Sequence, residues 1–154
     1  MTTAAFQPKT PDYAERVRDS FRRQRIMQVL GAELVRVEPG LVEIELPFRA
    51  DLTQQHGFLH AGVVTTIVDS ACGYAAFTLM PAEAEVLTVE YKVNFMAPAR
   101  GRSFLARGRV VRPGRHITVC TGEVLAQTDG GPVPVATMLT TMFQVVDRPD
   151  VKPA

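Results

Sequence analysis

A chain of 154 residues with a hydrophobic fraction of 46% has room for one domain with a sizeable core. Its formal net charge of +1 provides no whole-molecule field for nucleic acid or an acidic membrane, so any anion site must be local. No apolar run reaches the roughly 18 residues of a membrane span, and the first eight residues lack a basic stretch leading into an apolar one, which predicts a cytoplasmic protein.

Residues 1–10 read as a loose tail. From Pro11 to Leu30 the spacing of Tyr13, Val17, Phe21, Ile26, Met27 and Leu30 predicts one amphipathic helix, with Asp12 and Glu15 early and Arg22, Arg23 and Arg25 late to suit the helix dipole. Gly31 ends it. Residues 32–37 and 41–46 then alternate as two strands around a Glu38-Pro39-Gly40 turn, and a loop leads into the central stretch. These changes of pattern divide the chain into a tail and helix over 1–30, a main domain over 31–147 and a second tail over 148–154.

From Leu59 to Leu79 the sequence holds one acid, and no base beyond the opening His60. That is about five helical turns, too apolar to lie on a surface. On a helical wheel Val64, Ile67, Val68, Ala71, Ala75 and Leu79 form an apolar side. Gly62, Thr66, Asp69, Gly73 and Ala76 form a stripe of small residues with one carboxylate in the middle. Asp69 is therefore either a core acid paired with a basic neighbour or a functional group where another chain comes close. His60 and Asp69 are nine positions apart, about 13 Å along the axis, and leave opposite sides of the helix. If both serve one site, two subunits are needed: antiparallel helices in a two-fold dimer would bring Asp69 of one chain toward the first turn of the other, where free N–H groups can bind an oxyanion.

After a connector over 81–85, residues 86–96 alternate, with Leu87, Val89, Tyr91, Val93 and Phe95 on one face and Thr88, Glu90, Lys92 and Asn94 on the other. Strands over 103–111, 116–126 and 133–146 follow, separated by short turns. Short hairpins favour antiparallel neighbours, so the chain reads as α+β, with an antiparallel sheet curled around one long helix. Pairing of an exposed edge strand with its two-fold mate would remove an edge and supply the dimer. Cys72 and Cys120 lack cluster spacing and read as small core residues. His56, His60 and His116 are too scattered for a zinc set, so no metal and no cofactor is expected. Ser70 lacks the surround of a serine hydrolase and reads as structural.

His60-Ala61-Gly62, Asp69 nine residues after that His, Gly73-Tyr74-Ala75-Ala76, and the run from Leu87 to Ala99 together resemble the hotdog-fold acyl-CoA thioesterases of the phenylacetate-pathway (PaaI-like) type. The resemblance spans roughly residues 30 to 146 and leaves the N-terminal helix outside. It implies a helix wrapped by the sheet, an acyl-CoA substrate, and a site shared by two chains in a homodimer or a dimer of dimers. It also implies that Asp69 acts as general base or nucleophile and the Ala61 N–H as oxyanion donor. Gln54 falls where the family usually has Asn, and Thr88 falls on a hydroxyl that helps hold water. Ala61 stands where Gly is commoner, which keeps the N–H but disfavours positive φ. Simple alternation turns Thr88 away from the core-facing residues, so its entry into the site requires a strand end or a bulge.

His60 would either hydrogen-bond the thioester oxygen or cap the helix. Gly62 adjoins the site, and the acyl group is expected along Phe58, Val63 and Tyr74. Phosphates of CoA call for a local basic rim, sought among Arg100, Arg102, Arg112 and Arg115, with Arg112 and Arg115 the first choice. Two other readings fit the same fold: a non-catalytic acyl-CoA sensor, and a dehydratase acting on acyl thioesters.

Overall fold

The computed structural model describes residues 6–151, so the expected tails lie partly outside it. Two short helices, α1 (Tyr13–Arg23) and α2 (Arg25–Leu30), stand where one was expected. The chain breaks at Gln24, whose ψ of 95° is extended. Helical phase explains the break: six residues on from Phe21, Met27 would lie about 120° away around an unbroken helix, off the face that Phe21 shares with Val17. The elbow resets the phase and buries Met27 and Leu30 with Val17. Gly31, at a φ of 72°, then ends α2 in the left-handed conformation that glycine adopts without strain.

Strands β1 (Glu33–Glu38) and β2 (Leu41–Pro47) form the expected hairpin, and α3 (Ala61–Phe77) is the central helix. After it come β3 (Glu85–Phe95), β4 (Ser103–Pro113), β5 (Ile117–Thr128) and β6 (Gly131–Val145). All pair antiparallel in one six-stranded sheet of order β1-β2-β4-β5-β6-β3, so α3 carries the chain from the second strand across to the far edge. Among the described residues no helix is long and apolar enough to cross a membrane.

The apolar side of α3 is buried as its wheel requires, and its last turn is buried all round. There Arg16 of α1 donates to the carbonyls of Met80, Pro81 and Ala84 and lies over the Phe77 ring, 4.5 Å from its centroid. Cys72 and Cys120 are buried and reduced; burial pushes the Cys120 thiol up to about 12 and the Cys72 thiol well above its usual range.

Two glycines opposite one another, Gly108 on β4 and Gly122 on β5, set how deep the helix sits. A Cβ at Gly108 would collide with the backbone of Ala71 and Cys72. One at Gly122 would lie 2.5 Å from Val68 Cγ2. At Gly108 the helix backbone thus rests directly on the sheet, and at Gly122 the missing Cβ makes room for the helix side chains Val68 and Cys72. The outer face of the sheet is polar at its centre, where Glu43 is covered by ion pairs to Arg107 and Arg36, and Arg107 also reaches Glu123.

One expected feature of β3 is overturned. The strand carries a bulge at Val89, between the pairs Thr88–Met142 and Glu90–Thr141. Residues opposite one another share a face. Thr88, Tyr91, Val93 and Phe95 therefore lie on the inner face with buried Met142, Thr140, Met138 and Ala136, whereas Leu87 lies on the outer face with Phe143. The extra residue shifts the period-2 pattern by one, so no single alternation describes the strand. Thr140 Oγ1 donates to the Glu90 carbonyl at 3.0 Å beside the irregularity.

The glycine contact is testable. Gly108→Ala is expected to cost about 1–3 kcal/mol through overpacking. Gly130→Ala, whose nearest neighbour would be Thr128 Oγ1 at 3.8 Å, should change stability by less than about 0.5 kcal/mol. Urea unfolding midpoints of the two variants separate these outcomes.

Candidate active site

Asp69 sits in the middle of α3, half-buried, in a groove of about 430 Å³ between the helix, β3 and the α1–α2 elbow. The bulge at Val89 turns Thr88 inward, and its hydroxyl donates to Asp69 Oδ1 at 2.9 Å. No ion pair to Asp69 forms among the described residues, so the reading of a core acid neutralised by a basic neighbour does not hold there. Burial raises the Asp69 carboxyl above its ordinary range, and the Thr88 hydrogen bond opposes that shift. A carboxylate in this state is more basic than a surface one, and the Thr88 hydroxyl favours its charged form. Gly62 and Thr66 line the same groove, two turns and one turn before the acid.

The start of α3 forms a second groove of about 410 Å³, lined by Gln54, Phe58, Ala61 and Val64 with the segment from Phe95 to Ala99. His60 caps the helix: its Nδ1 accepts from the Gly62 N–H at 2.9 Å, and its carbonyl accepts from Val63 and Val64. With Nδ1 so used, the neutral ring carries its proton on Nε2. Among the described residues the Ala61 N–H has no acceptor, the one first-turn donor left over. Ala61 is the first helical residue and has no positive φ, so alanine there carries no backbone strain. Gln54 opens a turn closed by Gly57, and its Oε1 accepts from the His56 N–H, which leaves its NH2 free to donate. The Arg100 guanidinium stands over the Phe58 ring at 5.1 Å, at this groove.

Within one chain the acid and the free N–H line different grooves, about 12 Å apart along the axis for eight residues. Thr88, Gly62 and Asp69 come together; Gln54, Phe58 and Ala61 come together. Tyr74 joins neither set. Its ring is buried against Phe21 and Phe77, at centroid distances of 6.0 and 6.5 Å, and its hydroxyl lies 3.3 Å from Ser20 Oγ and 3.4 Å from Gln24 Oε1. The expected acyl-lining role thus meets a side chain consumed in docking α1. Val63 is half-buried and lines neither groove.

Arg112 and Arg115 also fall elsewhere. A bulge between Val110 and Arg112 places Arg112 opposite Val119 on the outer face, and Arg115 lies in the turn that follows. Arg102 pairs with Asp129 at 3.4 Å, whereas Arg100 is the one of these four arginines that lies over a groove-lining ring, Phe58. Ser70 is buried and its Oγ accepts from Gln24 Nε2 at 3.3 Å. Sequence reasoning passed over Gln24 and treated Ile26 only as a helix-face residue; both line the Asp69 groove, and the one signal for them was the phase slip between Phe21 and Met27. Among the described residues no group of three or more His, Cys, Asp or Glu side chains could hold a metal ion.

The model of the thioesterase superfamily matches residues 56–133, which run from the loop before α3 to the start of β6. The chain belongs to this superfamily. A thioesterase family protein from Silicibacter pomeroyi is 54% identical, with a TM-score of 0.86 over 87% of this chain and 98% of that one. The PaaI protein of the E. coli phenylacetic acid degradation operon, at 15% identity, shares the fold with a TM-score of 0.78 over 87% of this chain and 94% of its own. A Saccharolobus solfataricus protein provisionally named an esterase is 33% identical over 103 residues, 67% of this chain and 68% of that protein. A 1,4-dihydroxy-2-naphthoyl-CoA hydrolase of Listeria monocytogenes is 22% identical over 104 residues, 68% of this chain and 85% of the hydrolase. The six-stranded sheet around α3 is the hotdog fold, with a short helical pair added before it.

Thr88→Val removes the donor that opposes desolvation, so the Asp69 carboxyl should titrate at a higher pH than in the native chain. NMR titration of the Asp69 carboxyl measures this; an unchanged or lower midpoint would contradict the arrangement.

Proposed function

We propose that the protein hydrolyses acyl-CoA thioesters at a site completed by a second copy of the chain. The observation that carries this reading is a half-buried, unpaired carboxylate oriented by Thr88, together with a first-turn N–H that lacks an acceptor. Ester and thioester hydrolysis needs a group to supply the attacking oxygen and a donor for the tetrahedral oxyanion, and these are one of each. They lie in separate grooves of one chain, so antiparallel apposition of two α3 helices would complete the site twice over. Support for that dimer comes from β3, an edge strand with exposed Val89, Tyr91 and Phe95 beside its unpaired side.

In the reaction Asp69 takes a proton from water as the water oxygen bonds to the thioester carbon. The carbonyl oxygen becomes an oxyanion facing the Ala61 N–H of the second copy. Collapse of this intermediate breaks the C–S bond, and the CoA thiolate recovers the proton. Direct attack by the Asp69 carboxylate would instead give an anhydride that water then opens. The amide of Gln54 and the Nε2–H of His60, both free to donate, are suited to the carbonyl or the water. Arg100 beside Phe58 is better situated for the CoA phosphates than Arg112 or Arg115. The substrate's carrier is inferred from the motif resemblance and from the Listeria relative, and a dimer of such dimers is part of the same reading.

Asp69→Asn should cut thiol release from acyl-CoA by about 10²–10⁴-fold. The sign of its stability effect is also defined: a carboxyl raised by burial stabilises the fold below its unfolded pKa and loses that contribution as pH rises through the folded value, so at neutral pH the ionised form is a cost. Asp69→Asn should therefore fold at least as stably as the native chain. Ala61→Pro removes the N–H at the first helical position, where proline is tolerated and the extended His60 suits it, and should cost about 10²–10³-fold. Heterodimers of these two variants retain one intact site and should regain up to about half of native turnover. Acyl-CoA binding without hydrolysis by the native chain would mark a binding module instead.

A further inference from the structure

The groove at Asp69 has a wall that α3 and the sheet do not supply. The break at Gln24 brings the start of α2 against the helix, and Gln24 spends both polar atoms there, Nε2 on Ser70 and Oε1 on the Tyr74 hydroxyl. Burial of Met27 fixes the rotation of α2, and Ile26, one residue earlier, is left 45% exposed along the groove. Tyr91 and Val93 of β3 face it from the other side because the Val89 bulge turns them inward.

The polar groups of this groove are largely engaged. Thr65 and Thr66 donate their hydroxyls to the Ala61 and Gly62 carbonyls at 2.9 and 2.7 Å, and Ser70 is held by Gln24. Among the described residues of one chain Asp69 is the only charged side chain lining the groove, and no cation lines it. An acyl arm leaving a carbonyl held at Asp69 and running toward the elbow would therefore meet aliphatic and aromatic carbon. A terminal carboxylate would meet a like charge and no counter-ion.

We propose that Ile26 sets acyl selectivity, closing the groove so that it takes uncharged acyl groups up to a fixed length and refuses those ending in a carboxylate. This rests on the reading of Asp69 as the group at the thioester. Its physical basis is steric: a methylene that fits or fails to fit an apolar pocket changes specificity by about 10–200-fold. Because Ile26 is exposed, replacing it leaves the core intact.

The test uses the full chain, a series of straight-chain acyl-CoAs from acetyl to palmitoyl, and glutaryl-CoA against pentanoyl-CoA, with released thiol as readout. Ile26→Ala should shift the kcat/KM optimum to longer chains, changing the long-to-short ratio by at least about tenfold, and Ile26→Trp should shift it to shorter ones. Ile26→Leu, of nearly equal volume, should keep the native profile. Glutaryl-CoA should be turned over at least about tenfold less well than pentanoyl-CoA. Length profiles that all three variants leave unchanged, or equal turnover of those two substrates, would overturn the inference while leaving the hydrolase reading in place. Calorimetric binding of the same series to Asp69→Asn gives a readout free of turnover. A binding-length profile that moves with Ile26 while the native chain releases no thiol from any acyl-CoA would sink the hydrolase reading and sustain the wall; a profile that does not move would sink the wall by itself.

Discussion

The close approach of α3 to the sheet at Gly108 and Gly122 is the constraint on which the remaining geometry hangs. The helix backbone lies directly on β4 at Gly108, its Val68 and Cys72 side chains fill the space that Gly122 leaves on β5, and Phe104 and Ala106 of the sheet are buried beside them. Burial of each large aliphatic or aromatic group here contributes about 1.5–3 kcal/mol. Such depth covers three sides of the helix. The remaining stripe, Gly62 to Asp69, stays open because the sheet ends at β3, and small residues there let something else approach.

On that stripe, position alone would leave Asp69 a half-buried acid with no hydrogen-bond donor beside it. The Val89 bulge changes this by turning the Thr88 hydroxyl toward it. Burial raises the carboxyl and the hydrogen bond restrains it, two opposed effects that together hold a basic yet ionisable group. Similar division of labour occurs at the helix start. His60 satisfies the Gly62 N–H with its ring and the next two amides with its carbonyl, and by elimination the Ala61 N–H is the donor left for a ligand. A cap and a bulge, both local devices, thus leave a free N–H in one groove and an oriented carboxyl in the other, the two groups that the proposed hydrolysis would use.

The N-terminal helices lie outside the resemblance read from the sequence, yet they are fastened to α3 by specific polar contacts. Arg16 takes up carbonyls beyond the helix C-terminus, where cations are favoured, and Gln24 joins the elbow to Ser70 and Tyr74. One consequence is that Tyr74, which by its place on α3 seemed free to line a pocket, is enclosed. Another is that the Asp69 groove gains a wall of this chain's own making.

The sequence by itself determined the helix-and-strand order, the buried face of α3, the glycine stop at Gly31 and the isolation of Asp69 from His60 along one helix, because each follows from a period of 3.6 or 2.0 or from a single residue's backbone preference. Only the tertiary structure decided that Leu87 faces outward while Tyr91 faces inward, that the first helix breaks at Gln24, and that Arg100 rather than Arg112 or Arg115 lies over a groove-lining ring. A bulge, an elbow and a docked tyrosine are set by hydrogen bonds and packing between residues up to about fifty positions apart, such as Thr140 with Glu90 or Gln24 with Tyr74. Apart from the slip of helical phase between Phe21 and Met27, no local period carries that information, since it exists only once the partners have met.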